Sequence, residues 1–102
     1  MQNQRTQLFQ SLFFILFIAG FLSGQNISGV VYDQDGSPLA GANVIVEREN
    51  IGAATDLNGA FSFSFVPEKD FILAVSYIGY QTDRRSMRID DPLTGLEFTL
   101  IQ

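Results

Sequence analysis

From Gln25 onward, apolar and polar residues alternate with a period of two, the spacing of a strand that buries one face and wets the other. The cleanest case is Phe61, Phe63 and Phe65, separated by Ser62 and Ser64, which predicts a strand with its rings on one face and its hydroxyls on the other. Leu96, Phe98 and Leu100 alternate with Glu97 and Thr99 in the same way and predict the last strand. A β-branched run at residues 27–32, the segment Asn43-Val44-Ile45-Val46-Glu47 and a short Gly-interrupted stretch at residues 51–55 supply three more. Residues 71–77 are apolar nearly throughout, the pattern of a central strand covered on both faces. Residues 81–89 are polar and carry Arg84, Arg85 and Arg88, as a solvent-facing edge strand does; cations there discourage pairing with other chains.

Turn chemistry separates these segments. Asp33-Gln34-Asp35-Gly36-Ser37-Pro38 and Asp56-Leu57-Asn58-Gly59 each combine an Asp that accepts local backbone hydrogen bonds with a Gly that takes positive φ without steric cost. Asp33, Gly36, Asp56 and Gly59 are therefore read as structural turn residues. Asp33-Gln34-Asp35-Gly36 also resembles the start of a calcium-binding loop, but the position where such a loop needs its bidentate Glu is Val44, inside a strand. Gly79, between Tyr77 and Tyr80, predicts a bulge or a sharp bend. No window after residue 25 carries a helical stripe, and about seven short strands at a spacing of about 8–12 residues predict an all-β sandwich.

The first 24 residues differ in kind. A polar start containing Arg5 leads into an unbroken apolar run of 11 residues, Leu12 to Leu22, and then to the small residues Ser23 and Gly24. These are the three parts of a secretory signal, and the run is shorter than the roughly 18 apolar residues of a membrane-spanning helix. The expectation is a signal peptide at 1–24, cut near Gln25, no retained transmembrane span, and one domain at 25–102. No cysteine follows the apolar run, which excludes attachment through a lipidated cysteine. Asn26-Ile27-Ser28 fits the N-glycosylation acceptor pattern but lies almost on the expected cut.

Charge and missing residue types narrow the function. Beyond residue 24 there are 11 acids against 5 bases, a net charge of −6, which repels nucleic-acid phosphate and anionic lipid alike. With 0 His and 0 Cys, neither a His- or Cys-based triad nor a typical zinc site can be built. The acids fall in turns or on exposed strand positions, where a carboxylate is merely solvated. The expectation is therefore no enzyme, no cofactor and no metal. Tyr77 and Tyr80 cap the edge of the core on one reading and, on the other, offer a sugar or a protein rigid contact area with polar tips. With Arg84, Arg85 and Arg88 they form the candidate interaction surface, and the edge at residues 81–89 suits an extended acidic partner segment.

An ordered set of motifs carries a family resemblance. Ile27-Ser28-Gly29-Val30-Val31-Tyr32-Asp33 followed by Gly36-Ser37-Pro38-Leu39-Ala40-Gly41-Ala42-Asn43-Val44 resembles the opening of carboxypeptidase regulatory-like domains. Gly52-Ala53-Ala54-Thr55-Asp56-Leu57-Asn58-Gly59-Ala60-Phe61 is similar to that family's middle motif, and Ser76-Tyr77-Ile78-Gly79-Tyr80 to a later one. Together they cover nearly all of the expected mature chain. The resemblance implies a transthyretin-like (prealbumin-like) seven-stranded β-sandwich. It looks most like the periplasmic domain that precedes the plug of TonB-dependent outer-membrane receptors in Bacteroidetes-type bacteria. It thus implies an exported, non-catalytic accessory or docking module with a protein partner in the cell envelope. The alternative is a free-standing secreted binder of glycan or peptide. Transport is not expected of these residues, because plug and barrel are not among them, and peptidase activity is not expected without zinc-binding histidines.

Overall fold

The computed structural model describes residues 25–102; the expected signal peptide at 1–24 lies outside the described residues. Seven strands form: β1 (Asn26–Asp33), β2 (Asn43–Val46), β3 (Ile51–Ala54), β4 (Ala60–Ser64), β5 (Phe71–Ser76), β6 (Asp83–Met87) and β7 (Leu96–Leu100). They make a three-stranded sheet in the order β4-β1-β7 and a four-stranded sheet in the order β3-β2-β5-β6. All pairs are antiparallel except β1 with β7, which run parallel from Gly29↔Leu96 to Asp33↔Leu100. The seven-stranded sandwich expected from the period-two pattern is the fold observed.

Alternation in the sequence becomes the core. Ile27 and Val31 of β1, Val44 and Val46 of β2, Leu73 and Val75 of β5, and Phe98 and Leu100 of β7 are all at most 1% exposed. Their inward positions recur every second residue, so the two sheets meet across one apolar layer. On β4, Phe61 is buried, its ring 6.2 Å from that of Phe98 and 6.4 Å from that of Phe63, while Ser62 and Ser64 face outward. Phe63 and Phe65 are half-buried and pack on the margin of the same layer. Each large side chain withdrawn from water contributes about 1.5–3 kcal/mol, which a domain without disulfides needs.

One local expectation is corrected and another is narrowed. β5 is central in its sheet, yet among the described residues no second layer covers its outer face, and Ile72 is 37% exposed there. Ala74 is buried there because it is small and flanked in register by Ile45 of β2 and Arg84 of β6. Of the two alternatives at Gly79, the structure has the sharp bend: Gly79 lies in a reverse turn after β5 with φ of 86°, and Tyr80 N–H donates to the Tyr77 carbonyl at 3.0 Å.

The register also sorts the loops to two ends. Residues 33–38, residues 56–59, the Tyr77–Tyr80 turn and the exit at Gln102 share one end, where Gln81 N–H donates to the Ile101 carbonyl and Gln102 N–H to Gln34 Oε1. Gln25, the β2–β3 turn at 47–50 and the β4–β5 loop at 65–70 share the other.

Candidate functional site

The two acidic turns are built alike. Asp33 Oδ1 accepts from the N–H groups of Asp35 and Ser37, and Asp56 Oδ1 accepts from those of Asn58 and Ala60, all at 2.9–3.0 Å. In both, the Gly N–H closes on the Asp carbonyl, and Gly36 and Gly59 have φ of 83° and 73°. The aspartates thus act as surrogate backbone acceptors, which favours a tight turn followed by a left-handed residue. Among the described residues no three His, Cys, Asp or Glu side chains gather as a metal would need.

The surroundings of the two glycines differ. An added Cβ at Gly36 meets nothing within 4 Å, whereas at Gly59 it meets the Val31 carbonyl oxygen at 2.6 Å and Pro38 Cβ at 3.0 Å. The second turn is therefore docked on the middle of β1, where Val31 N–H also donates to the Gly59 carbonyl. Thr55 secures the same region from behind. It is the buried polar residue of the described chain, its Oγ1 accepting from Ala42 N–H and donating to the Leu39 carbonyl. The threonine of the middle motif is thereby explained by packing.

The candidate interaction residues do not form one patch. Tyr77 and Tyr80 meet edge to face, centroids 5.6 Å apart, and are half-buried against the core at the Gln102 end. Arg84 lies on the outer face of its sheet and reaches across β5 to Glu47, Nε to Oε1 at 2.6 Å. Arg85 points the other way. Its guanidinium lies 3.9 Å from the centroid of the Phe98 ring and donates to the Glu97 carbonyl at 2.9 Å, so it fastens β6 to the edge of β7. Arg88 is exposed in the following turn, where its N–H donates to Asp91 Oδ2. The β6 side of the sandwich is thus stapled by one of the arginines expected on a solvent-facing edge.

A surface that the alternation pattern does not signal lies at the Gln25 end. A groove of about 800 Å³ opens between the β2–β3 turn, the ends of β3 and β4, and the β4–β5 loop. Phe65 and Phe71 form part of its wall, edge to face with centroids 5.1 Å apart, and Val66 on its rim is 57% exposed. Arg48, also on the rim, holds a φ of 71°, a conformation that costs a residue with a long side chain about 1–2 kcal/mol. The sequence hint was there: Phe65 and Phe71 bracket a polar loop.

The described residues thus form a seven-stranded β-sandwich with mixed parallel and antiparallel pairing. Residues 27–100 match the CarboxypepD_reg-like domain, and the chain belongs to that family. It is 36% identical over 86 residues to TonB-dependent receptor P39 of Formosa agariphila, covering 78% of this chain and 8% of the receptor. It is 39% identical over 66 residues to TonB-dependent receptor SusC of Bacteroides thetaiotaomicron, covering 65% of this chain and 6% of that one. The chain therefore spans less than a tenth of the length of these receptors. The fold also matches a chain of a type II cohesin–X-dockerin complex from Acetivibrio cellulolyticus, with a TM-score of 0.64 at 18% identity, over 76% of this chain and 57% of that one.

Proposed function

We propose that this sandwich is an exported, non-catalytic docking module of the type that precedes the plug of TonB-dependent receptors, acting in the periplasm at the outer membrane. The observation that carries this reading is the 36–39% identity to such receptors over the sandwich itself. The side-chain inventory supports it: aspartates serve as turn acceptors, Thr55 as an internal tie and Arg85 as a staple, each accounted for by the fold. What is left to act is surface, and the module works by holding a protein partner in the cell envelope.

The test is made in a diderm host, with a tag after Gln102. The expected product is periplasmic, begins near Gln25, and is digested by protease only after the outer membrane is opened. A site-specific photocrosslinker placed in turn at Ile78, Arg84, Ser62 and Val66, all exposed, is expected to yield a discrete adduct with an envelope protein from at least one position. An intact Met1 on the product, or no discrete adduct from any of the four positions, overturns the reading. Peptide hydrolysis that scales with protein concentration overturns its non-catalytic half.

A further inference from the structure

We infer that the groove at the Gln25 end is a cleft for an extended protein segment that places an apolar side chain between flanking lysines or arginines. The inference rests on the reading of the domain as a docking module, and it moves the working surface from the β6 edge to the opposite side of the sandwich. The first support is backbone. β3 and β4 are terminal strands of their respective sheets, so each has one row of N–H and C=O groups without a strand partner, and both end at the groove through Ile51 and Ser64. An extended peptide satisfies such a row by strand addition. On the far side, Arg85 and the Gln81–Ile101 hydrogen bond cross between the β6 and β7 edges.

The second support is shape and polarity. The volume of about 800 Å³ falls within the range of sites that take a ligand of several side chains. Phe65 and Phe71 supply an aromatic wall that is half-buried in the free domain, and Val66 and Ile72 are 57% and 37% exposed. Water on those surfaces is released when an apolar side chain enters.

Charge selects the flanks. Glu47, Glu49, Glu68 and Asp70 border the groove against Arg48 and Lys69, so carboxylates outnumber cations two to one. With Glu47 paired to Arg84, the charges left at the rim are Glu49, Glu68 and Asp70, whose Oδ1 accepts from Ile89 N–H, against the exposed Arg48 and Lys69, an excess of one negative charge. The domain's net −6 attracts a cationic segment from further away.

The probe is a fluorescein-labelled peptide, Lys-Val-Lys-Phe-Lys-Val-Lys, titrated with the purified chain and read by anisotropy, beside an analogue with glutamate at every lysine. The lysine peptide is expected to bind at least ten-fold more tightly than the glutamate one and to weaken as salt rises from 50 to 300 mM, since rim charges are screened. Val66→Asp and the double change Glu49→Lys/Glu68→Lys are each expected to weaken binding at least ten-fold; all three positions are exposed, so the fold is kept. Arg84→Ala/Arg88→Ala on the other side is expected to change it less than two-fold. Amide exchange should slow on binding in β3 and β4 and not in β6. Equal affinity for both peptides, loss through the β6-side variant alone, or no binding at 1 mM peptide overturns the inference. So does a concentration-dependent dimer abolished by Val66→Asp, which makes the groove a contact between copies. In each of those cases the envelope crosslinking at the four positions still decides the docking reading separately.

Discussion

Two turns with the same sequence logic and nearly the same φ offer a controlled comparison of what a glycine is for. Gly36→Ala adds a methyl group into open space, so its cost is the left-handed backbone alone, about 1–2 kcal/mol. Gly59→Ala carries the same backbone cost and also drives the methyl to 2.6 Å from the Val31 carbonyl oxygen and 3.2 Å from the Leu39 nitrogen, both backbone atoms that cannot swing away. Forcing such a contact into a packed site costs a further amount of roughly 1–3 kcal/mol, so the expected total is about 2–5 kcal/mol. A domain of this size is stable by only about 4–12 kcal/mol, and Gly59→Ala should therefore remove a large share of it, seen as a much lower urea midpoint. Asparagine separates the two contributions, because it tolerates the left-handed region but still carries a Cβ. Gly36→Asn is expected to recover most of the loss and Gly59→Asn little of it. The assay is urea unfolding followed by circular dichroism, since the chain has no Trp, with a constant slope confirming that stability alone has changed. Equal losses at positions 36 and 59, or full recovery by Gly59→Asn, would refute the reasoning.

Other expected outcomes follow from single contacts. Phe61→Ala, in the buried layer against Phe98, should cost about 3–5 kcal/mol, Phe63→Ala on the margin distinctly less, and Ser62→Ala on the outer face under about 1 kcal/mol, all read from urea midpoints. Thr55→Val keeps the shape but strips the Ala42 N–H and the Leu39 carbonyl of their partner; about 2–4 kcal/mol is expected, with Thr55→Ser recovering much of it. Arg85→Ala should destabilise by about 1–2 kcal/mol through loss of the Phe98 contact and the Glu97 hydrogen bond. Arg84→Ala should cost under about 1 kcal/mol and less still at high salt, because the Arg84–Glu47 pair is solvent-screened. Calcium should leave the melting temperature unchanged, since Asp33 and Asp56 already hold two backbone N–H groups each; a saturable rise would mean a metal competes for them.

The strands were legible because each exposes one face, and a period of two survives wherever that is true. The failures occurred where it is not the deciding factor. Residues 71–77 are apolar on both faces, but Ile72 shows that a central place in a sheet does not ensure a second covering layer. Arg85 alternates in step with Met87, which is buried, so parity already pointed it inward; the run of arginines masked that signal by reading as a uniformly wet edge. Thr55 bonds to residues 13 and 16 positions away, and no local pattern encodes such a tie. The groove depends on how the two sheets part beyond Ile51 and Ser64, a property of the packed pair that neither strand carries by itself.

The parallel pairing of β1 with β7 has a mechanical consequence. Gln25 leads into β1 at one end of the sandwich, and Gln102 follows β7 at the other. Tension between those points runs along both strands in opposite senses, so the ladder from Gly29↔Leu96 to Asp33↔Leu100 is loaded in shear. All its hydrogen bonds share the force at once, whereas a hairpin pulled from its open end parts one rung at a time. Endurance under such a pull is set by the unfolding rate rather than by equilibrium stability. A force applied between the two ends of the sandwich therefore meets the whole β1–β7 ladder at once.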